Sequence, residues 1–199
     1  GAFHVGTGDE LRFGTGDVFS ARLEATSVLS TAAPESFGFL GERAAAIEVR
    51  GSVLTSLHDI VMSAGIITID NGAFLSTNTD SAIAGGDIRL KALEQISLSG
   101  ANREGLGSRV QTTTHGMGEG GAVSVESAVI ELQDGALIST ATFGSGSSGS
   151  LSINAAERLT FSGLNDDGLG SWLNASVWAE GDGGAVTVVS PVIELQDGA

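Results

Sequence analysis

Apolar and polar residues alternate over short stretches along most of the chain, and no window carries the 3.6-residue stripe of an amphipathic helix. Between Gly121 and Gly149 three such stretches follow one another: Ala122–Val125, Val129–Gln133 and Leu137–Thr142. Glu126-Ser127-Ala128, Asp134-Gly135-Ala136 and the glycine-serine run Gly144–Gly149 separate them. The pattern predicts strand, turn, strand, turn, strand, turn, repeated along the chain.

The repeat can be measured. VIELQDGA occurs at Val129–Ala136 and again at Val192–Ala199, a shift of 63 residues. Under the same shift, without gaps, residues 67–136 and 130–199 share 31 identities in 70 positions. Within each 63-residue block a glycine leads an alternating strand, at Gly86, Gly121, Gly149 and Gly184, with spacings of 35, 28 and 35. Two unequal coils per block are therefore expected. Three coils of 21 would also fill a block, but they would leave the glycine-led strands out of phase.

An all-β fold, a right-handed parallel β-helix or three-sided β-solenoid, satisfies this pattern. Each strand pairs with its equivalent in the next coil about 4.8 Å away, and the inward residues stack into apolar columns. Right-handedness follows from the crossover preference of parallel strands. A one-residue slip would turn every inward side chain outward, so insertions belong in turns. The seven extra residues of the longer coils are expected around Leu164–Gly170 and Ala101–Gly107. About six to seven coils would make a rod of roughly 30 Å. Residues 1–57 are expected to form N-terminal coils, and 58–199 a shaft of blocks 58–120, 121–183 and a partial 184–199. Ile67, Ile130 and Ile193 should share one column. Both ends of the sequence read as cut from a longer protein.

Composition narrows the function. The 30 glycines fit a turn-rich chain, and only 2 prolines without a Gly-X-Y period exclude collagen. A net charge of −15 disfavours nucleic acid and anionic membrane surfaces as partners. No apolar run reaches the roughly 18 residues of a membrane span, so no membrane insertion is expected. The absence of cysteine removes disulfides and thiolate chemistry.

Candidate chemistry is sparse. His4, His58 and His115 lie far apart in the sequence without metal-ligand spacing, so no metal site and no cofactor are expected. Aspartates in Asp134-Gly135 and Asp166-Asp167-Gly168 suit ordinary turns, while weak Ca2+ binding stays open. Glu131 and Glu194, Glu94 and Glu157, and Asp134 and Asp197 are equivalents two coils apart, roughly 10 Å. That exceeds the ~5–9.5 Å between the carboxylates of glycosidases. No catalytic residue is assigned.

The strand Trp172–Trp178 is the most informative local feature. Alternation that sends Leu173, Ala175 and Val177 inward sends Trp172, Asn174, Ser176 and Trp178 outward. Their equivalents Arg109 and His115 face outward as well, beside Gln111 and Thr113. Trp172, Asn174, Trp178, Arg109 and His115 thus form a candidate ligand or lateral-contact patch. The loops beside it carry Asn165, Asp166, Asp167, Asn102, Arg103 and Glu104. The competing expectation is a loop such as Leu164–Gly170 folded over the rings. Asn174-Ala175-Ser176 is also an N-x-S sequence.

Several stretches resemble the filamentous haemagglutinin-like exoproteins exported by two-partner secretion in Gram-negative bacteria. GAFHVGTGDELRFG and DVFSARLEATSVLSTAAPESFGFLG, within Gly1–Leu40 and ending just past it, resemble the distal end of their haemagglutination-activity domain. AAAIEVRGSVL at Ala44–Leu54 resembles the coil that follows, and GGAVSVESAVIELQDGALISTATFGSGSSG resembles their shaft repeats. The resemblance implies export through an outer-membrane partner pore, a bacterial cell-surface location and a role in adhesion or extracellular filaments. The implied contacts are surface glycans, other cells or further copies of the chain. Asn-Pro-Asn motifs, which mark the family's secretion domain, are absent, so this segment is not expected to direct its own export. The alternatives are a carbohydrate-active β-helix enzyme, a polysaccharide lyase or glycosidase, and a self-assembling fibre subunit.

Overall fold

The computed structural model of the chain describes residues 3–8, 10–13, 18–20, 34–38 and 45–199. Its strands are β1 (Phe3–Gly6), β2 (Glu10–Phe13), β3 (Val18–Ser20), β4 (Pro34–Gly38), β5 (Ala46–Arg50), β6 (Val53–Ser56), β7 (Ile60–Asp70) and β8 (Phe74–Thr79). They continue with β9 (Ile88–Leu98), β10 (Arg109–Thr114), β11 (Val123–Gln133), β12 (Leu137–Thr142), β13 (Leu151–Ser162), β14 (Trp172–Val177), β15 (Val186–Val189) and β16 (Ile193–Leu195). No helix occurs among the described residues.

Two parallel sheets carry the structure, as in a β-solenoid. The first runs β1-β7-β9-β11-β13-β15, with β5 also on β7 and β16 also on β13; the second runs β14-β12-β10-β8-β6. Successive rungs alternate in length as the sequence implies. Ile60 pairs with Ile88, Ile88 with Val123, Val123 with Leu151 and Leu151 with Val186. The inward column holds as well, for Ile47, Ile67, Ile96, Ile130, Leu159 and Ile193 are successive register partners. Ile67, Ile96, Ile130 and Leu159 are fully buried, each contributing about 1.5–3 kcal/mol relative to exposure.

Two details differ from the sequence pattern. Glu126-Ser127-Ala128 is not a turn between two strands but a bend inside the continuous β11, where the register shifts between Ser127 and Val129. Val123, Val125 and Ser127 face inward before the bend and Ile130 and Leu132 after it, so one irregularity lets a single strand serve two faces. The seven extra residues of a long rung are also divided. Ala64 pairs with Ala92 but Ile66 with Gln95, which places one of the seven at this bend and leaves six for the loop.

The turn between the faces is a tight one on short rungs. Asp134 and Gly135 have φ of 56° and 76°, and the Ala136 amide donates to the Gln133 carbonyl at 3.2 Å. Two successive positive φ values define a type I′ turn, which Asp-Gly suits. Asn71-Gly72 and Asp197-Gly198 repeat it. A Cβ on Gly135 would also lie 2.8 Å from the Asn165 Cβ, because the next rung's long loop rests on this glycine.

Beyond the second sheet the chain returns through glycine-rich turns. A Cβ on Gly149 would overlap the carbonyl oxygen of Gly121, and one on Gly184 that of Gly149. Close backbone stacking there, not flexibility, accounts for these glycines. A buried threonine column braces the same corner. Thr77, Thr112 and Thr140 donate to the carbonyls of Gly86, Gly121 and Gly149 at 2.5, 2.6 and 2.8 Å.

On the outer surface charges bridge rungs. Asp59 accepts from the Asp87 amide at 2.9 Å and from Arg89 at 2.8 Å, while Asp87 accepts from the Ala122 amide at 2.8 Å. Burial pushes the Asp59 carboxyl up, but the Asp87 amide and the Arg89 guanidinium together outweigh it and hold the group below the usual aspartate range. The Asp59 carboxylate correspondingly raises Arg89.

Among the described residues of the first 57, β1, β5 and β6 make one rung. β1 and β5 both pair with β7, and Thr7 Oγ1 donates to the Ala45 carbonyl at 2.8 Å, closing the intervening segment at its base. That segment contains a three-stranded antiparallel sheet, β3-β2-β4. Much of Gly1–Leu40, including Phe39 and Leu40 of FGFL, lies outside the described residues.

Candidate functional site

The outward side of the second sheet gathers the candidate residues into two columns at opposite margins. On the first margin Phe74, Arg109, Leu137 and Trp172 are register partners. The Arg109 guanidinium lies 4.8 Å from the Phe74 ring centre, a cation–π contact. Trp172 is 39% exposed. On the second margin His115, Phe143 and Trp178 follow the strand ends. His115 and Phe143 stack at 5.2 Å with planes 10° apart, and Phe143 and Trp178 at 6.0 Å and 9°. Asp80 closes that column, its carboxylate 3.2 Å from His115 Nδ1.

The two tryptophans are therefore not one patch. Six residues of extended strand hold them roughly 20 Å apart. Between them lies a polar floor of Ser76, Gln111, Ser139 and Asn174, followed by Asn78, Thr113, Ala141 and Ser176. The floor is tied within three of its four rungs. Ser76 donates to Asn78 at 2.6 Å, Gln111 to Thr113 at 3.0 Å, and Asn174 to Ser176 at 3.4 Å. Ser76, Ser139, Thr113 and Ala141 are buried although they point outward.

Ring orientation governs what this face can do. Parallel rings in contact turn their faces toward one another, so the Phe143 faces are occupied and its edge meets solvent. Trp178 keeps an open face, is 71% exposed and donates its indole N–H to Ser176 at 3.2 Å. Sugar stacking needs a free aromatic face, which leaves Trp178 and the more recessed Trp172.

The expected cover over the rings is not where the loop goes. In the loop after β13, the Asn165 side-chain oxygen accepts from the Asp167 and Leu169 amides at 3.2 and 2.8 Å. Asn102 repeats this in the loop after β9 with Glu104 and Leu106, at 2.9 and 3.0 Å. Asn165 Nδ2 donates to the Gly105 carbonyl at 3.2 Å, so the two loops meet along the rod across the short turn between them. Arg103, Glu104, Asp166 and Asp167 remain exposed.

One of the acid pairs serves between rungs. Arg158 lies between the equivalents Glu131 and Glu194, 3.9 Å from each. Gln95 donates to Glu131 at 2.9 Å. Among the described residues no three His, Asp or Glu side chains converge as a metal site.

Phe143 is the site residue that the sequence comparison missed. Matching positions 63 apart links His115 to Trp178 and skips the rung between them. Following the 35, 28, 35 alternation from Asp80 reaches His115, Phe143 and Trp178 in turn.

Fold and surface together define a repetitive parallel-β protein with an aromatic column along one margin. Comparison with known families, curated proteins and solved structures found no match.

Proposed function

We propose that the chain is a non-enzymatic structural and interaction segment of a secreted, cell-surface adhesin or filament protein. Its two sheets with the bent strands form a right-handed, three-sided β-helix. Five coils pass through both sheets and a sixth enters only the first. The observation carrying this reading is the rung-on-rung parallel pairing, kept in step on both sides of the bend, whose inward columns fill the interior with side chains. A rod of this kind spans distance and presents side chains at fixed intervals. The ion-paired Glu131, Arg158 and Glu194 fit a structural use of the acids.

The adhesive role, a bacterial outer surface and an outer-membrane partner pore come from the resemblance to filamentous haemagglutinin-like exoproteins. That is an argument by analogy. Contact with glycans, cells or other copies falls to the margins of the second sheet. Immunogold electron microscopy of the producing bacterium with antibodies to this segment tests the reading. Label on extracellular filaments or the outer surface is expected; label confined to the cytoplasm overturns it.

A further inference from the structure

Asn71-Gly72 is the only Asn-Gly pair in the chain; every other asparagine is followed by a larger residue. Such a pair is open to a spontaneous reaction in which the following backbone nitrogen attacks the side-chain carbonyl carbon. Glycine, with no side chain, leaves that approach unobstructed.

The two reacting groups are placed differently here. Asn71 is exposed, and it borders the pocket that Arg103 and Glu104 also line, so water and base reach its side-chain amide. The Gly72 nitrogen is held. Its N–H donates to Ser108 Oγ at 3.1 Å and to the Gly100 carbonyl at 3.3 Å. Ser108 is fully buried, and its hydroxyl donates in turn to the Ser99 carbonyl at 2.6 Å. The loop also packs on Gly72 itself, for a Cβ there would overlap the Asn102 amide nitrogen. A nitrogen that must shed its proton to attack is blocked while two acceptors hold that proton. Closing a five-membered ring through Asn71 would also turn the peptide out of the geometry set by φ of 57° and 69° at Asn71 and Gly72. Both constraints lapse when the Gly100–Ser108 loop lifts from the turn, a local opening that leaves the rest of the fold intact.

We propose that Asn71 is a site of spontaneous covalent modification, gated by the loop that packs over Gly72. With the loop lifted, the Gly72 nitrogen gives its proton to base and bonds to Asn71 Cγ. The Cγ–Nδ2 bond breaks, and ammonia leaves carrying one proton from solvent. Water then opens the cyclic imide. Cleavage at Cγ leaves aspartate, and cleavage at the Asn71 backbone carbonyl leaves isoaspartate, with one extra atom in the main chain. Aspartate fits the turn, since Asp134 and Asp197 occupy the equivalent position with φ of 56° and 52°. Isoaspartate lengthens the link between two strands whose register is fixed. The proposal rests on this turn and not on the extracellular reading, so the two fail separately.

The test incubates folded and urea-unfolded protein in mildly alkaline buffer, with peptide mapping by mass spectrometry to follow the mass gain at Asn71 and the isoaspartate fraction. The folded parent should react at least tenfold more slowly than the unfolded chain. Ser108→Ala deletes one acceptor; it should speed the folded reaction at least threefold and leave the unfolded rate unchanged. Thr112→Val, which weakens the fold further along β10, should leave the folded rate as it is in the parent. Three results overturn the proposal: equal rates in the folded and unfolded parent, a folded Ser108→Ala rate equal to the parent's, or equal acceleration by Ser108→Ala and Thr112→Val, which would make global unfolding the gate.

Discussion

Replacing Thr112 by valine removes one hydroxyl from the interior while leaving shape and volume almost unchanged. Thr112 is 1% exposed, and its Oγ1 donates to the Gly121 carbonyl at 2.6 Å, closing the nine-residue return from the second sheet to the first. The Gly121 carbonyl loses that donor in the variant, and an unmet buried acceptor costs about 1–3 kcal/mol. For a chain of this size that lowers the Tm by about 2–12 °C. Thr112→Ser keeps the donor and loses one methyl, about 0.8 kcal/mol, so it should be the milder change. Thr77→Val and Thr140→Val should behave like Thr112→Val, because their hydroxyls meet Gly86 and Gly149 in the same way. Urea unfolding followed by circular dichroism gives the free energies. A Thr112→Val protein as stable as its parent would show that threonine stands in this column for its β-branched shape alone.

Gly149→Ala should destabilise by about 1–3 kcal/mol or more, since its Cβ overlaps the Gly121 carbonyl, whereas Gly183→Ala meets nothing within 4 Å. The latter should be neutral or stabilise by about 0.4–1 kcal/mol, and parallel thermal melts separate the two. Phe143→Ala should cost about 0.5–1.5 kcal/mol beyond lost area and, in the Trp172→Phe background, change the near-ultraviolet dichroism of Trp178. Asp59 binds its proton less readily folded than unfolded, so its contribution is present above the ordinary aspartate value near about 3.9 and is lost as pH falls through its lower folded value. The stability difference between the parent and Asp59→Asn should therefore shrink as urea titrations move from pH 5 to pH 2.

The sequence was most legible where a register error would be costly. Ile67, Ile130 and Ile193 share a column because a slip by one residue would place their whole strands inside out, and that constraint is written as gapless repetition. The alternation of 28 and 35 was legible for the same reason. The bend at Ser127–Val129 was not, since three polar or small residues read equally as a turn or as a bulge until neighbouring strands are known. The division of the extra residues between bend and loop was hidden with it. On the surface, alternation identified the outward faces of Trp172 and Trp178 but not their separation or the ring between His115 and Trp178. Outward side chains obey no inward packing rule, and a comparison by whole blocks passes over every second rung.

The meeting of Asn165 with the Gly105 carbonyl limits how such a chain can lengthen over evolutionary time. Each projecting loop settles on the glycine of the tight turn beneath it, Asn102 over Gly72 and Asn165 over Gly135. Deleting one tight-turn rung would bring two projecting loops together with no glycine platform between them. Recombination that adds or removes both rungs at once leaves every such seat intact, so lineages of this protein should differ in length by multiples of the 63-residue pair.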